Sequence, residues 1–294
     1  MSKSEQAFDF EPVVANMTLL GLAEQKILAS LKVRPSDLNL SWQLAETYRK
    51  QGRLREAVEL YSHLEKSKYR TNLANDLSAI LAGRLEDLIG DTRCCPVPFV
   101  LKPQFLASNE LLDLQNYIRD RAWGSHKRST VNAGEYDPQK RQSYDLDVPN
   151  WLRERFLNYI LTNATDLLRV LNLKTKEVGK IDVSLRAYSD GHFFRIHTDR
   201  NSGVHRLLSM AFFFYFEPKQ FDGGDLLVFD TDLSALHVRE FSHGFTRISA
   251  TQNTLVIFPS ASYHAVSKIQ SNAEGYGHCR FAVNAHVWER SHDS

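Results

Sequence analysis

Several short apolar segments, separated by turn residues, fill the chain after residue 180, and this pattern limits the fold more than any other feature. The segments are rich in β-branched and aromatic residues: KIDVSLRAY, RLLSMAFFFYF, DLLVFD, TLVIF and RFAVNAHVW. Gly, Asp, Asn and Ser separate them, as in SDG, NSG, DGG and NAEG. Because no crossover helix lies between these strands, they are expected to pair antiparallel in a sandwich or barrel. Helices predicted over 108–121 and 151–171 would cover one face, so the class is α+β.

Helix-forming residues dominate the chain before residue 93. The segment LNLSWQLAETYRKQGRLREAVELYSHLEK contains no proline and a single glycine. A helix start is predicted just before it, because Ser36 or Asp37 can accept hydrogen bonds from the first free N–H groups. Gly52 predicts the end of this helix. A second helix over about 54–67 follows so closely that the two must pack antiparallel, and a looser helix is predicted over 72–88.

The predicted helical hairpin resembles one tetratricopeptide repeat. Six residues fall at the offsets of that repeat: Leu44, Ala45, Tyr48, Gly52, Ala57 and Tyr61. Only one clear copy is present, whereas such repeats usually need about three units to be stable alone. Two interpretations stay open: a helical subdomain packed on the rest of the chain, which we favour, or a groove for a partner peptide or protein. The predicted division is a helical region, residues 1–92, and a stranded domain, residues 93–294.

Charge and composition argue against nucleic-acid and membrane partners and against a disulfide-stabilised fold. Lys plus Arg number 36 and Asp plus Glu number 35, so the formal charge of +1 provides no field to hold nucleic acid or an anionic membrane. No apolar run approaches the roughly 20 residues that span a bilayer, and the first residues do not resemble a signal peptide. Three cysteines, two of them the adjacent Cys94 and Cys95, make no disulfide scaffold. We therefore expect a cytoplasmic protein.

Three residues of the stranded domain have the types and spacing of a metal site. His197 and Asp199 are two residues apart, so they would point to the same side of a strand. His264 follows the apolar strand LVIF and could reach them from a distant strand of the same barrel. Two imidazoles and one carboxylate on one face of a metal leave positions open, as Fe(II) oxygenases require. Zinc also accepts this ligand set.

Arg280 begins another predicted strand sixteen residues after His264. If it points into the barrel, its guanidinium can bind the distal carboxylate of a 2-oxoacid that chelates the metal. Small or polar residues, Ala282 and Asn284, share its side of the strand. An outward-facing arginine on an edge strand is the alternative, and the inward position is favoured.

Four motifs together resemble the prolyl 4-hydroxylase-like branch of the Fe(II)- and 2-oxoglutarate-dependent oxygenases. They are YSDGHFFRIHTD, FFFYFEPKQFDGGDLLVF, IFPSASYHAV and RFAVNAHVW, in the order and approximate spacing of that family over about residues 96–290. The resemblance implies a double-stranded β-helix, or jelly roll. It also implies iron ligation by His197, Asp199 and His264, and binding of 2-oxoglutarate by Arg280, Tyr215 and Tyr188. This branch often has lysine where Arg280 stands, although some members have arginine.

The resemblance implies a dioxygenase that hydroxylates an unactivated C–H bond. Its cofactors would be Fe(II), 2-oxoglutarate and O2, with ascorbate as a reductant in vitro. The substrate would be a prolyl or other amino-acid residue in a peptide or protein, or a small molecule. Two alternatives remain: an inactive jelly-roll protein that binds a partner through its helical region, and a zinc-dependent hydrolase. The hydrolase leaves Arg280 and Tyr215 without a purpose, and the presence of all four site residues argues against an inactive protein.

Substrate contacts are expected from polar residues on the same strand faces. Arg186 shares a face with Tyr188, while Asn284 and His286 share one with Arg280. These residues could line the mouth of the pocket, and Arg186 could bind a substrate carboxylate. The polar segment VNAGEYDPQKRQSYDLD is either a mobile lid or an early barrel strand, in which case Arg141 would face the pocket.

Overall fold

The computed structural model describes residues 17–66, 73–82, 96–123, 127–130, 136–171, 173, 176–200, 205–230 and 244–290. In these ranges the α-helices are α1 (Met17–Val33), α2 (Leu38–Lys50), α3 (Leu54–Glu65), α4 (Leu73–Ala82), α5 (Ser108–Arg119) and α6 (Asn150–Val170). A short 3-10 helix spans Tyr276–His278. None of the helices in the described ranges has both the length and the apolar composition needed to cross a membrane.

Fourteen strands in the described ranges are named in chain order. The first seven are β1 (Val100–Pro103), β2 (Lys127–Arg128), β3 (Arg141–Gln142), β4 (Tyr144–Leu146), β5 (Val178–Tyr188), β6 (Phe193–His197) and β7 (Arg206–Phe214). The others are β8 (Phe221–Asp222), β9 (Leu226–Phe229), β10 (Phe245–Ile248), β11 (Thr254–Pro259), β12 (His264–Val266), β13 (Gln270–Ser271) and β14 (Arg280–Glu289). The predicted α+β class is confirmed.

Two antiparallel sheets form the jelly roll. The major sheet has the order β1-β11-β7-β14-β5-β4-β2, and the minor sheet has the order β10-β9-β12-β6-β3. A two-stranded ribbon joins β13 to β8. One cavity is lined by residues of both sheets, including Arg280 of the major sheet and His264 of the minor sheet. The functional side chains therefore converge between the two sheets.

Helices cover the outer face of the major sheet, as the sequence predicts. The ring of Phe105 lies 5.1 Å from that of Phe156 on α6 and 5.5 Å from that of Phe212 on β7. All three side chains are buried in the main apolar core. The guanidinium of Arg153 on α6 also donates to the carbonyl oxygen of Val183 on β5, at 3.0 Å. The outward face of the sheet is thus apolar, which leaves the inward face for the cavity.

The predicted helical hairpin forms with nearly the predicted ends. Asp37 is the N-cap of α2, and its carboxylate accepts from two backbone N–H groups, each at 3.1 Å. Gly52 has φ of +79°, the left-handed conformation that ends this helix at little cost. The ring centroids of Trp42 and Tyr61 lie 5.3 Å apart, which joins α2 to α3. The looser helix predicted over 72–88 is α4, which ends at Ala82, and the rest of its predicted span lies outside the described residues.

One buried ion pair connects the helical region to the jelly roll. Arg49 on α2 donates to both carboxylate oxygens of Asp230, at 2.6 and 2.8 Å, just after β9. Its other terminal nitrogen donates to Glu46 at 2.8 Å. The side chains of Arg49 and Asp230 are only 2% and 5% exposed. α2 is therefore packed on the minor sheet in the described structure, in agreement with the interpretation favoured above.

The described part of the polar segment forms strands rather than a separate loop. β3 pairs with β6, so that Arg141 lies opposite Phe194, and β4 pairs with β5. This favours the early-strand interpretation over the lid for residues 136–147. Residues 131–135 lie outside the described part of the chain.

Candidate metal centre and cosubstrate site

Strand pairing brings the three predicted metal ligands together. His197 is the last residue of β6 and lies directly opposite His264, the first residue of β12. Asp199 follows β6, and its backbone N–H donates to the carbonyl oxygen of Ser260 at 3.0 Å. One ligand atom from each of the three side chains lies within 4.8 Å of the other two. Residues far apart in sequence thus present their donors to one point.

Both imidazoles are oriented by backbone carbonyl groups. The Nδ1 of His197 lies 2.8 Å from the oxygen of Arg195, and the Nδ1 of His264 lies 3.0 Å from that of Ser262. A carbonyl oxygen only accepts, so each Nδ1 carries the proton and each Nε2 presents a lone pair. Those Nε2 atoms lie 3.7 and 3.4 Å from the carboxylate oxygens of Asp199. Such outer hydrogen bonds are typical of histidines that bind metals.

Burial keeps His197 in the form that binds metal. Burial and the neighbouring His264 lower the pKa of His197 to about 3, although Asp199 opposes this shift. The imidazole is therefore neutral at physiological pH. The ring of Phe194 stacks on it with centroids 3.6 Å apart, which fixes its plane.

The carboxylate of Asp199 is held through one of its two oxygens. The hydroxyl of Ser209 donates to Oδ2 at 2.6 Å, and the Nε2 of His286 lies 3.3 Å from the same atom. Burial by itself would raise the pKa of Asp199, but His286 and His264 lower it well below its usual range. The group is ionised, and its Oδ1 is left as the oxygen for a metal. Two imidazole nitrogens and one carboxylate oxygen fit Fe(II).

Replacing Ser209 with alanine is expected to weaken metal binding by about 10- to 100-fold, because loss of a partner of a ligand typically has this effect. Anaerobic calorimetric titration with Fe(II) measures the change in metal affinity. Ser271→Ala, which removes a hydroxyl that contacts Gln220 and Ala273 instead, is the matched control. Equal affinities for both variants would contradict the role of Ser209.

Arg280 is buried in the same cavity. Arg280 is only 1% exposed. Its guanidinium carbon lies 4.8 Å from the ring centroid of Tyr188 and 4.6 Å from that of Phe213. Its Nε has no hydrogen-bond partner, and no carboxylate among the described residues forms an ion pair with it. Burial lowers its pKa to about 10, so it is still charged at neutral pH. A buried cation in this state needs an anionic ligand.

The two predicted tyrosines differ in position. Tyr188 lies opposite Arg280 in the sheet and is buried, with its ring under the Arg280 guanidinium. Tyr215 comes after the end of β7, and its ring packs edge-on against Phe221, with centroids 5.5 Å apart. Tyr215 is not among the residues that line the cavity. Phe213, which has no hydroxyl, takes the place beside Arg280, so the placement departs from the role expected for Tyr215.

All four predicted substrate residues line the cavity: Arg141, Arg186, Asn284 and His286. His286 was expected to line the mouth of the pocket and contact substrate, but its ring contacts two carboxylates instead. Its Nδ1 lies 2.7 Å from Asp182, so the ring bridges two carboxylates, those of Asp182 and Asp199. Burial would lower the pKa of His286, but Asp199 and Asp182 raise it. Asp182 and Ser209 lie outside the set of site residues predicted from the sequence.

Part of the chain matches a family model, and one curated relative is similar. Residues 183–288 match the model described as the 2OG-Fe(II) oxygenase superfamily. An uncharacterized PKHD-type hydroxylase of Synechocystis sp. is 32% identical over 167 residues, which cover 54% of this chain and 52% of that protein. The chain thus spans about half the length of this relative.

Two solved structures are also similar in part. A prolyl-4-hydroxylase of Pseudomonas putida has 17% identity and a TM-score of 0.48, over 72% of this chain and all of that one. A prolyl hydroxylase of Trichoplax adhaerens, in complex with a fragment of the hypoxia inducible factor oxygen degradation domain, has 14% identity and a TM-score of 0.49. That match covers 76% of this chain and 96% of the other.

The family match and the geometry concern the same strands. The matched residues include His197, Asp199, His264 and Arg280, which the structure places around one cavity. The resemblance drawn from the sequence motifs is therefore confirmed: the strands that carry the site are similar to the 2OG-Fe(II) oxygenase superfamily over residues 183–288.

Proposed function

We propose that the chain binds Fe(II) through His197, Asp199 and His264 and binds 2-oxoglutarate through Arg280. It then uses O2 to hydroxylate an unactivated C–H bond of an amino acid, a peptide or another small molecule. The observation that carries this proposal is the meeting of a three-donor metal site and a buried guanidinium in one cavity. When bound, the ion and cosubstrate would supply the oxidising power, with 2-oxoglutarate converted to succinate and CO2.

The residues of this chain bind and orient rather than transfer protons. Ser209 and His286 hold the carboxylate of Asp199, and Arg280 with Tyr188 provides a positive, hydrogen-bonding end for a dicarboxylate. Apolar side chains on the minor sheet, including Phe194 and Leu226, line the same cavity. Such walls exclude water from the reacting groups.

The alternative of a zinc hydrolase has less support in the cavity. Asp199 is the only carboxylate among the residues that line it, and Ser209 and His286 already hold this group. No second acid of the lining is therefore available as a general base. A hydrolase also gives no role to the buried Arg280.

Replacing Arg280 with glutamine is expected to weaken 2-oxoglutarate binding by about 30- to 5,000-fold. The estimate follows from the 2–5 kcal/mol typically lost when a buried charge pair loses one partner. Calorimetry with Mn(II)-loaded protein measures the affinity without turnover. Arg169→Gln, which removes an exposed guanidinium from α6, is the control. Unchanged affinity in Arg280→Gln would contradict the assignment.

The reaction itself is tested by succinate formation. We expect the full chain with Fe(II), ascorbate, O2 and 2-oxoglutarate to form succinate, at a rate that rises with the correct substrate. If the folded, Fe(II)-loaded protein neither binds nor consumes 2-oxoglutarate, the proposal is wrong. Zinc-dependent hydrolysis or an interaction role would then be favoured.

Two further expectations stay predictions. The first is the division near residue 93 between the helical region and the oxygenase domain. A protein partner that binds the helical region is part of the same prediction. The second is a cytoplasmic location, which rests on the low cysteine content.

A further inference from the structure

Two arginines of the cavity are not among the residues proposed above to bind Fe(II) or 2-oxoglutarate. Arg141 comes from β3 of the minor sheet and Arg186 from β5 of the major sheet, so they reach the same cavity from opposite sides. Arg141 is 6% exposed, and the side chain of Arg186 is 16% exposed. Burying two guanidiniums close to a metal site costs free energy, so their charges need compensating partners.

Neither arginine is fully neutralised by its described neighbours. The Nε of Arg141 donates to the hydroxyl of Ser143 at 3.0 Å, and its guanidinium lies 4.6 Å from the ring centroid of Phe194. Arg186 donates to the hydroxyl of Ser184 and lies 3.1 Å from a carboxylate oxygen of Asp145. These partners fix the two guanidiniums in place. Only one of them, Asp145, carries a negative charge.

The charges of the loaded cavity do not balance. Its lining contains three arginines and a single carboxylate, Asp199. His286 also lines the cavity, but its charge is balanced by its partner Asp182. The charges of Fe(II) and of the 2-oxoglutarate dianion cancel each other. Their binding therefore leaves the surplus of two positive charges unchanged. Asp145, behind Arg186, compensates one of the two remaining positive charges. One positive charge then stays uncompensated in a buried site, and this costs free energy unless a ligand supplies an anion.

Electrostatic repulsion between the two arginines supports the same conclusion. Burial lowers the pKa of Arg186 to about 10, and the nearby Arg141 adds to this shift. The two cations therefore destabilise each other in the free protein. A carboxylate between them would relieve the repulsion and accept hydrogen bonds from both guanidiniums.

We propose that Arg141 and Arg186 form a subsite for a carboxylate group of the primary substrate, so that the enzyme oxidises a carboxylic acid. This inference rests on the proposed function, because it concerns the substrate of the same cavity. The carboxylate can come from a free amino acid or from an acidic or C-terminal residue of a peptide. The shared chemistry is a monoanionic, planar acceptor, and the probes below separate its sources.

The test compares acids with their amides. The full chain is loaded with Mn(II) and 2-oxoglutarate, and binding is measured by calorimetry for free amino acids, N-acetyl amino acids and the primary amide of each. At least one acid is expected to bind about 30-fold or more tightly than its amide, because loss of a charged partner in a buried site has about this effect. Preference for the free or the acetylated form separates the two sources. If no acid binds more tightly than its amide, the proposal is overturned.

Variants assign any such preference to the two arginines. Arg141→Gln and Arg186→Gln are each expected to reduce the preference for acid over amide to less than about 3-fold, whereas Arg186→Lys retains part of it. A damaged fold would weaken acid and amide alike, so this ratio reports the subsite alone. Arg169→Gln on the exposed face of α6 is the control. Retention of the full preference in both glutamine variants overturns the assignment.

Different results would contradict the proposed function and the carboxylate subsite. If the wild-type chain does not bind 2-oxoglutarate, the proposed function is wrong and the subsite has no basis. If 2-oxoglutarate binds normally but acids and amides do not differ, only the subsite is wrong.

Discussion

Replacing Asp199 with alanine is expected to reduce Fe(II) affinity and succinate formation by more than about 100-fold. Loss of an outer partner of a ligand typically costs 10- to 100-fold, so loss of the ligand itself should cost more. The substitution also removes the carboxylate that faces His197, His264 and His286. His197→Ala should have a similar effect on both quantities. Anaerobic calorimetry and succinate measurement follow them separately.

A matched carboxylate provides the control for this prediction. Asp222 is exposed and lies on β8, away from the residues that line the cavity. We expect Asp222→Ala to bind Fe(II) and form succinate like the wild type. Full turnover in Asp199→Ala and His197→Ala would show that the ligands have been wrongly assigned.

Replacing Arg49 with methionine is expected to lower the free energy of unfolding by about 3–5 kcal/mol. The change leaves Asp230 buried without its cation, and removal of one partner of a buried ion pair typically has this cost. It also removes a partner of Glu46, whose other carboxylate oxygen accepts from the hydroxyl of Tyr61. The melting temperature should fall by about 10 °C, as measured by circular dichroism.

A double substitution separates the ion pair from general packing. Arg49→Met together with Asp230→Leu should recover most of the lost stability, because apolar residues often replace a buried pair at little cost. Arg34→Met removes the exposed partner of Asp37 and should change the free energy of unfolding by at most about 1 kcal/mol. A loss below about 1 kcal/mol in Arg49→Met would contradict the proposed link between the helical region and the jelly roll.

Features determined by nearby residues could be predicted from the sequence. Asp37 caps α2 and Gly52 ends it, because both act on backbone groups within a few residues. The alternation of side chains likewise placed Arg280 and Asn284 on one face of β14. Such rules hold without knowledge of the tertiary structure.

The metal site was predictable for a different reason. His197 and Asp199 lie two residues apart, and the order of the motifs implied a jelly roll in which His264 returns to them. Ser209 was missed, although one polar residue inside the apolar segment RLLSMAFFFYF is a signal for a buried polar contact. It donates to Asp199 and contacts Ser260. The lone serine could have identified this role.

Other contacts between distant residues could not be predicted. Arg49 and Asp230 are 181 residues apart, and nothing near either residue indicates its partner. The bridge from Asp182 through His286 to Asp199 depends on the register of β14 against β5. The position of Tyr215 could not be predicted for a similar reason, because the sequence does not show that β7 ends at Phe214 and leaves Phe213 beside Arg280.

Anaerobic calorimetry with 2-oxoglutarate shows whether one cavity holds Fe(II) and 2-oxoglutarate together. We predict one molecule bound per chain in the presence of Fe(II), with much weaker binding when the metal is omitted or when Arg280 is replaced with glutamine. Binding that is equally tight without metal and in Arg280→Gln, or no binding to the folded, Fe(II)-loaded chain, would contradict the account.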